Sequence, residues 1–137
     1  MTPSEQQQIR GAHYELPEDC RKDPASPEGL AAFESEFGPI PADYRWYLAE
    51  CGGGVIGSEW IDGIEELAAT HKKVREGQNR GFYRISHFFP VGWDGFGNVY
   101  GYDLGTGHII MEDHNFGGVH EIASGLYDLV CKKGLVR

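Results

Sequence analysis

Between residues 85 and 131 the chain has no lysine and no arginine, while six acids fall in the same stretch. Such a segment cannot neutralise phosphates, and the net charge of −9 extends the argument to the whole chain. Nucleic acid and anionic membrane are therefore excluded as main partners. No run approaches the roughly 20 apolar residues of a membrane span, and the polar first ten residues hold no signal-peptide core. Cysteine is scarce: Cys20, Cys51 and Cys131 are scattered, without CxxC spacing. That excludes a disulfide framework and points to a reducing, cytoplasmic setting.

The common catalytic signatures are missing too. There is no GxSxG elbow, P-loop, GxGxxG or HExxH. A cysteine nucleophile needs a stabilised thiolate, yet Cys51 and Cys131 both fall near expected helix C-termini, where the dipole opposes negative charge. Adjacent acids such as Glu65-Glu66 and Glu112-Asp113 diverge within a regular element, so they form no acid/base pair by themselves. Asp94-Gly95-Phe96-Gly97-Asn98 lacks the alternating oxygens of a calcium loop. The strongest metal candidates are His108, Glu112 and His114, which share parity on one expected strand. His108 and His114 would be roughly 20 Å apart there, and Glu112 with His114 supplies only two ligands, short of a site. No catalytic residue, metal or cofactor is expected.

What is present suffices for one globular domain: 137 residues, 40% hydrophobic and 24% charged. Residues 1–25 are polar with three prolines and read as an arm, packed at most around Tyr14 and Leu16. The folded domain is expected over 26–137. Ser26-Pro27-Glu28 starts a helix that places Leu30, Phe33 and Phe37 on one stripe and stops at Gly38-Pro39. Ile40-Pro41 opens a second, with Tyr44, Tyr47, Leu48 and Cys51 on its buried side, ended by Gly52-Gly53-Gly54. Two short strands follow around Gly57-Ser58. A third helix from Ile64 to about Glu76 has a thin apolar stripe and is expected to be largely exposed.

The centre of the chain reads as a meander. Phe88 to Val91 is a strand buried on both faces, Asn98 to Asp103 returns, and His108 to Asp113 is a third strand, joined by short glycine turns. Gly95 or Gly97 is expected to take a positive φ in a two-residue turn. Val119 to Ala123 adds a strand, and Ser124 caps a last helix with Leu126, Leu129 and Val130 facing the core. The fold class is α+β: a mainly antiparallel sheet, with a mixed sheet as the alternative, and helices packed to one side.

The acidic half of the chain carries Trp93, Phe96, Tyr100, Tyr102 and Phe116. Exposed aromatics ringed by acids suit a basic protein partner. The expected partner surface has Asp94, Asp103, Glu112 and Asp113 on its rim and Trp60 or Trp93 as anchors. Asp103 and Asp113 share a surface only if the strand alternation allows it. Core aromatics and merely solvated turn acids are the alternative.

Four blocks in order resemble a known family. Ile40-Pro41-Ala42-Asp43-Tyr44-Arg45-Trp46-Tyr47-Leu48 with Cys51-Gly52-Gly53-Gly54 is similar to the opening block of the SUKH superfamily, the Smi/Knr-like domains. Trp60-Ile61-Asp62-Gly63-Ile64-Glu65-Glu66-Leu67 resembles its next block. Phe89-Pro90-Val91-Gly92-Trp93-Asp94-Gly95-Phe96-Gly97-Asn98 with Asp103 resembles its central signature, and Ile122-Ala123-Ser124 its ending. Cys51 stands where Asn is common, and Asn98 where Asp is common. The resemblance implies an α+β domain and, for bacterial members, an immunity protein that binds a cognate toxin, often a nuclease. Fungal relatives imply the alternative, a regulatory or scaffold domain with an endogenous partner. A small hydrolase or metal-dependent enzyme ranks third. The expected assembly is a monomer or weak homodimer.

Overall fold

The computed structural model describes residues 1–56 and 59–134. The expected turn at Gly57-Ser58 lies outside them. Six strands, β1 (Gly54–Ile56), β2 (Glu59–Ile61), β3 (Phe88–Trp93), β4 (Val99–Asp103), β5 (Ile109–Glu112) and β6 (Val119–Ala123), form one sheet in chain order. Every pairing is antiparallel, so the sheet is a pure meander rather than a mixed one. The fold is α+β, as the glycine-punctuated sequence implies.

Register divides the sheet into two faces. Phe89 stands opposite Tyr102, Tyr102 opposite Ile109, and Ile109 opposite Ala123. These side chains meet α1 (Pro3–Glu15), α2 (Pro27–Phe37), α3 (Ala42–Glu50) and α5 (Asp128–Gly134, wound as a π-helix) in the main core. Phe33 and Tyr44 pack edge-on against Phe89. A smaller cluster of Val74, Tyr83, Ile85 and Val99 covers the other side, with Phe88, Trp93 and Ile110 packed on it.

α2 begins as the sequence indicates: the Ser26 hydroxyl accepts the Gly29 amide at 3.0 Å, and Gly38 ends the helix at φ 94°. α5 buries Leu126, Leu129 and Val130 at its approach and within its first turn.

Two expectations are corrected. Residues 3–15 are helix, not arm, and Ile9 and His13 are buried one turn apart. Their capping box was present in the sequence: Thr2 accepts the Glu5 amide, and the Glu5 carboxylate accepts the Thr2 amide. α4 (Ile64–Asn79) is not largely exposed; Leu67, Thr70, His71, Val74 and Gly77 are buried. Its buried side is partly polar, which an apolar stripe count misses. β3 pairs with β2 only at Trp60–Trp93 and Ile61–Gly92, leaving its first half open on that edge. α4 closes this gap: His71 Nε2 donates to the Pro90 carbonyl at 3.0 Å, and Gln78 Nε2 to the Ile85 carbonyl at 2.8 Å. At the outer edge of β1, Arg21 bridges Gly54 and the Lys22 amide donates to the Gly53 carbonyl at 2.9 Å.

Candidate functional site

In a meander the loops alternate between the two ends of the sheet. The β3–β4 and β5–β6 loops therefore share one end, and the β4–β5 loop occupies the other. Each of the three opens on an aspartate that holds the turn. Asp94 Oδ1 accepts the amides of Phe96 and Asn98, both at 2.8 Å. Asp103 Oδ1 accepts the Gly105 amide at 2.9 Å. Asp113 Oδ1 accepts those of Asn115 and Phe116 at 2.8 and 3.0 Å. The Phe116 amide, then the Asn115 amide, hold the Asp113 carboxyl below the usual carboxylate range. Gly97 (φ 84°), Gly107 (φ 79°) and Gly117 (φ 89°) then take the left-handed backbone that returns each chain.

The expected partner residues fall into three groups. Asp94 and Asp113 lie at the shared end, bridged through the buried Asn98. Its Nδ2 donates to Asp94 Oδ2 at 3.2 Å, and its Oδ1 accepts the His114 amide at 3.0 Å. Asp103 is at the far end of β4 and does not join them. Glu112 is no rim charge: it is buried. Its Oε1 accepts the amides of Arg84 and Ile85, both at 2.8 Å, and its Oε2 pairs with His114 Nε2 at 2.6 Å. A carboxylate can be buried there because these donors replace water. The turn at Gly95 and Gly97 is also longer than two residues. Trp93 pairs with Val99, so residues 94–98 all belong to the loop, and Gly97 rather than Gly95 has the positive φ.

The aromatics separate as sharply. Tyr100 and Tyr102 are core. Phe96 is 81% exposed and Phe116 93%, each at the tip of a loop at the shared end. Trp60, 60% exposed, lies opposite Trp93 beside the same end. Trp93 itself is half-buried and committed: its Nε1 donates to Thr70 Oγ1 at 3.1 Å, and Lys73 Nζ sits 4.8 Å from its ring centre. The signal for the outlying rings was legible: Phe96 and Phe116 are flanked by turn formers (Asp-Gly-Phe-Gly, Asn-Phe-Gly-Gly) instead of strand formers.

The metal candidates disperse. His108 pairs with Glu121 across the β5–β6 ladder, while His114 pairs with Glu112. Among the described residues no group of three His, Cys, Asp or Glu could hold a metal ion. Burial pushes the Cys51 thiol up to about 12, which opposes a thiolate there. No helix among the described residues is long and apolar enough to cross a membrane.

The polar chain behind Trp93 was not foreseen. Thr70 Oγ1 donates to Asp62 Oδ2 at 2.5 Å while accepting from Trp93, and the Tyr44 hydroxyl donates to the Asp62 carbonyl at 2.6 Å. Burial pushes Asp62 up to about 6 and His71 down to about 4. The signs oppose. Asp62 contributes stability that is fully present below its unfolded value near 3.8 and lost as pH rises through about 6. His71 contributes stability present above 6.5 and lost as pH falls through about 4. Between about pH 4 and 6 the two slopes offset each other in the unaltered chain. Asp62→Asn is expected to leave stability rising with pH across that window by about 2 kcal/mol, and His71→Gln to leave it falling by a similar amount. Denaturation midpoints taken at intervals through the window check both. Parallel profiles for the two variants would contradict the assignment.

Residues 24–132 match the model of the SMI1/KNR4 family (SUKH-1). No curated protein matches the chain.

Proposed function

Because the chain belongs to the SMI1/KNR4 family (SUKH-1), which includes toxin immunity proteins, we propose that it is a non-enzymatic binding module that neutralises a cognate protein toxin by direct contact. The observation that carries this reading is the uncompensated acidity of residues 85–131, combined with phenyl rings standing in solvent on the same segment. Asp94 and Asp113 stand at one end of the sheet in a segment without lysine or arginine, an arrangement that attracts a basic surface. A nuclease, which must hold phosphates, presents such a surface. Capture before the toxin reaches nucleic acid gains from long-range attraction, because steering raises the association rate.

The test joins a growth assay to a binding assay. Cells expressing the toxin domain encoded by the adjoining gene should survive when this chain is co-expressed. Purified components, with the toxin inactivated, should associate at least about 10-fold more slowly at high salt than at low salt. Killing unaffected by co-expression, together with no measurable complex, would remove the reading.

A further inference from the structure

We infer that the chain grips its partner end-on, through the two hairpin tips at the shared end of the sheet, with Phe96 and Phe116 as anchors entering apolar slots on a basic protein surface. The inference rests on the toxin-binding reading above and adds to it the location and the chemistry of the contact.

Three observations converge. First, the rings are placed against solvation: Phe96 is 81% and Phe116 93% exposed, on the two hairpin loops at the same end of the sheet. Aromatic side chains left in solvent are the kind of group that anchors a protein interface.

Second, both rings are carried by the same device. The amide of Phe96 is held by Asp94 Oδ1 and the amide of Phe116 by Asp113 Oδ1. Asn98 ties the two loops together. A backbone fixed before binding loses less freedom when it docks, so pre-organised anchors keep more of their contact energy. The third copy of the device, Asp103 at the other end, holds the amide of Gly105 and so presents no ring from the matching position.

Third, the acids at this end, Asp94 and Asp113, lie in a segment that holds no lysine or arginine. Lys73 of α4 lies over the Trp93 ring, and Arg84, whose amide is bound by Glu112, lines a groove with Asp113 and Gly117. A partner with lysine or arginine around two apolar slots complements Asp94 and Asp113 at the tips.

The probe is the purified protein of the adjoining gene with its active site disabled. Phe96→Ser and Phe116→Ser remove exposed rings, and Leu104→Ser removes the 55%-exposed leucine at the opposite end as a control. Circular dichroism and melting should show all three folded as the unaltered chain is. Each phenylalanine variant is expected to bind about 30-fold more weakly, and the leucine variant unchanged. If both phenylalanine variants bind within about 3-fold of the unaltered chain, the end-on grip is wrong and the toxin-binding reading survives. If the unaltered chain itself does not bind, that reading falls and takes the grip with it.

Discussion

Gly52→Ala is expected to destabilise the fold by more than about 3 kcal/mol, measured as a shift in denaturant midpoint at unchanged slope. Two costs combine. Gly52 holds φ 97° just beyond α3, where its amide donates to the Tyr47 carbonyl at 2.9 Å. A side chain in that left-handed backbone costs about 1 kcal/mol. A Cβ there would also stand 2.2 Å from the Asp23 carbonyl oxygen and 2.7 Å from that of Lys22. Those are backbone atoms and cannot rotate away. The segment must shift, which breaks the Lys22–Gly53 bond and lifts the chain off the β1 edge. Gly38 separates the two costs. It has a similar φ of 94° but nothing within 4 Å of a built Cβ. Gly38→Ala should therefore cost only about 1 kcal/mol. Equal losses at the two glycines would show that close approach at Gly52 contributes nothing.

Glu112→Ala should cost about 2–4 kcal/mol, because it strands donors instead of deleting a matched pair. The Ile85 and Arg84 amides both lose their acceptor, and Ile85 is buried in the small cluster that lies over β4. Its side chain lies beside Val74 of α4 and Val99 of β4, so the 82–86 segment should loosen with it. Hydrogen exchange at the Arg84 and Ile85 amides is the direct readout and should accelerate more than exchange in α2. Glu112→Gln keeps one acceptor oxygen for those amides but loses the charged contact to His114. It should fall between the alanine variant and the unaltered chain. An alanine variant within about 0.5 kcal/mol of the unaltered chain would contradict the anchoring role.

The elements with strong local signals were legible in the sequence. Ser26-Pro27 and Gly38 bracket α2, and the aspartate and glycine turns delimit β3 to β6, because caps and left-handed turns are decided within a few residues. α1 was missed because only Ile9 and His13 are buried in it, too few to form a stripe, although the Thr2–Glu5 capping box marked its start. α4 was misjudged for a related reason. Its buried Thr70 and His71 are satisfied by Asp62 and by Pro90, partners 8 and 19 residues away. Both partners lie outside α4 itself, so a count along the helix finds neither contact.

The site divides along the same line. Sequence reasoning found the acidic segment and named both exposed phenylalanines among its aromatics. It could not tell that Asp103 and Asp113 lie at opposite ends of the sheet. Nor could it tell that the Glu112 carboxylate is buried under the 82–86 segment. Strand order and register decide those points. That each aspartate binds amides of its own turn shows only when the chain folds, because the shape of the turn decides which amides reach the carboxylate.

The two outer strands differ in a way that bears on self-assembly. At β1 the chain from Cys20 to Lys22 lies across the edge, with Arg21 bridged to Gly54. Along the outer edge of β6, among the described residues, no other strand pairs with Val119, His120 or Glu121. Filaments built by adding strand to strand need two free edges on every subunit, one to give and one to receive. Among the described residues the β1 edge is occupied at Gly54, while that of β6 carries no strand. Two copies meeting through β6 would use both of those ladders at once, whereas a strand added at β1 would first have to displace the Cys20–Lys22 segment from Gly54.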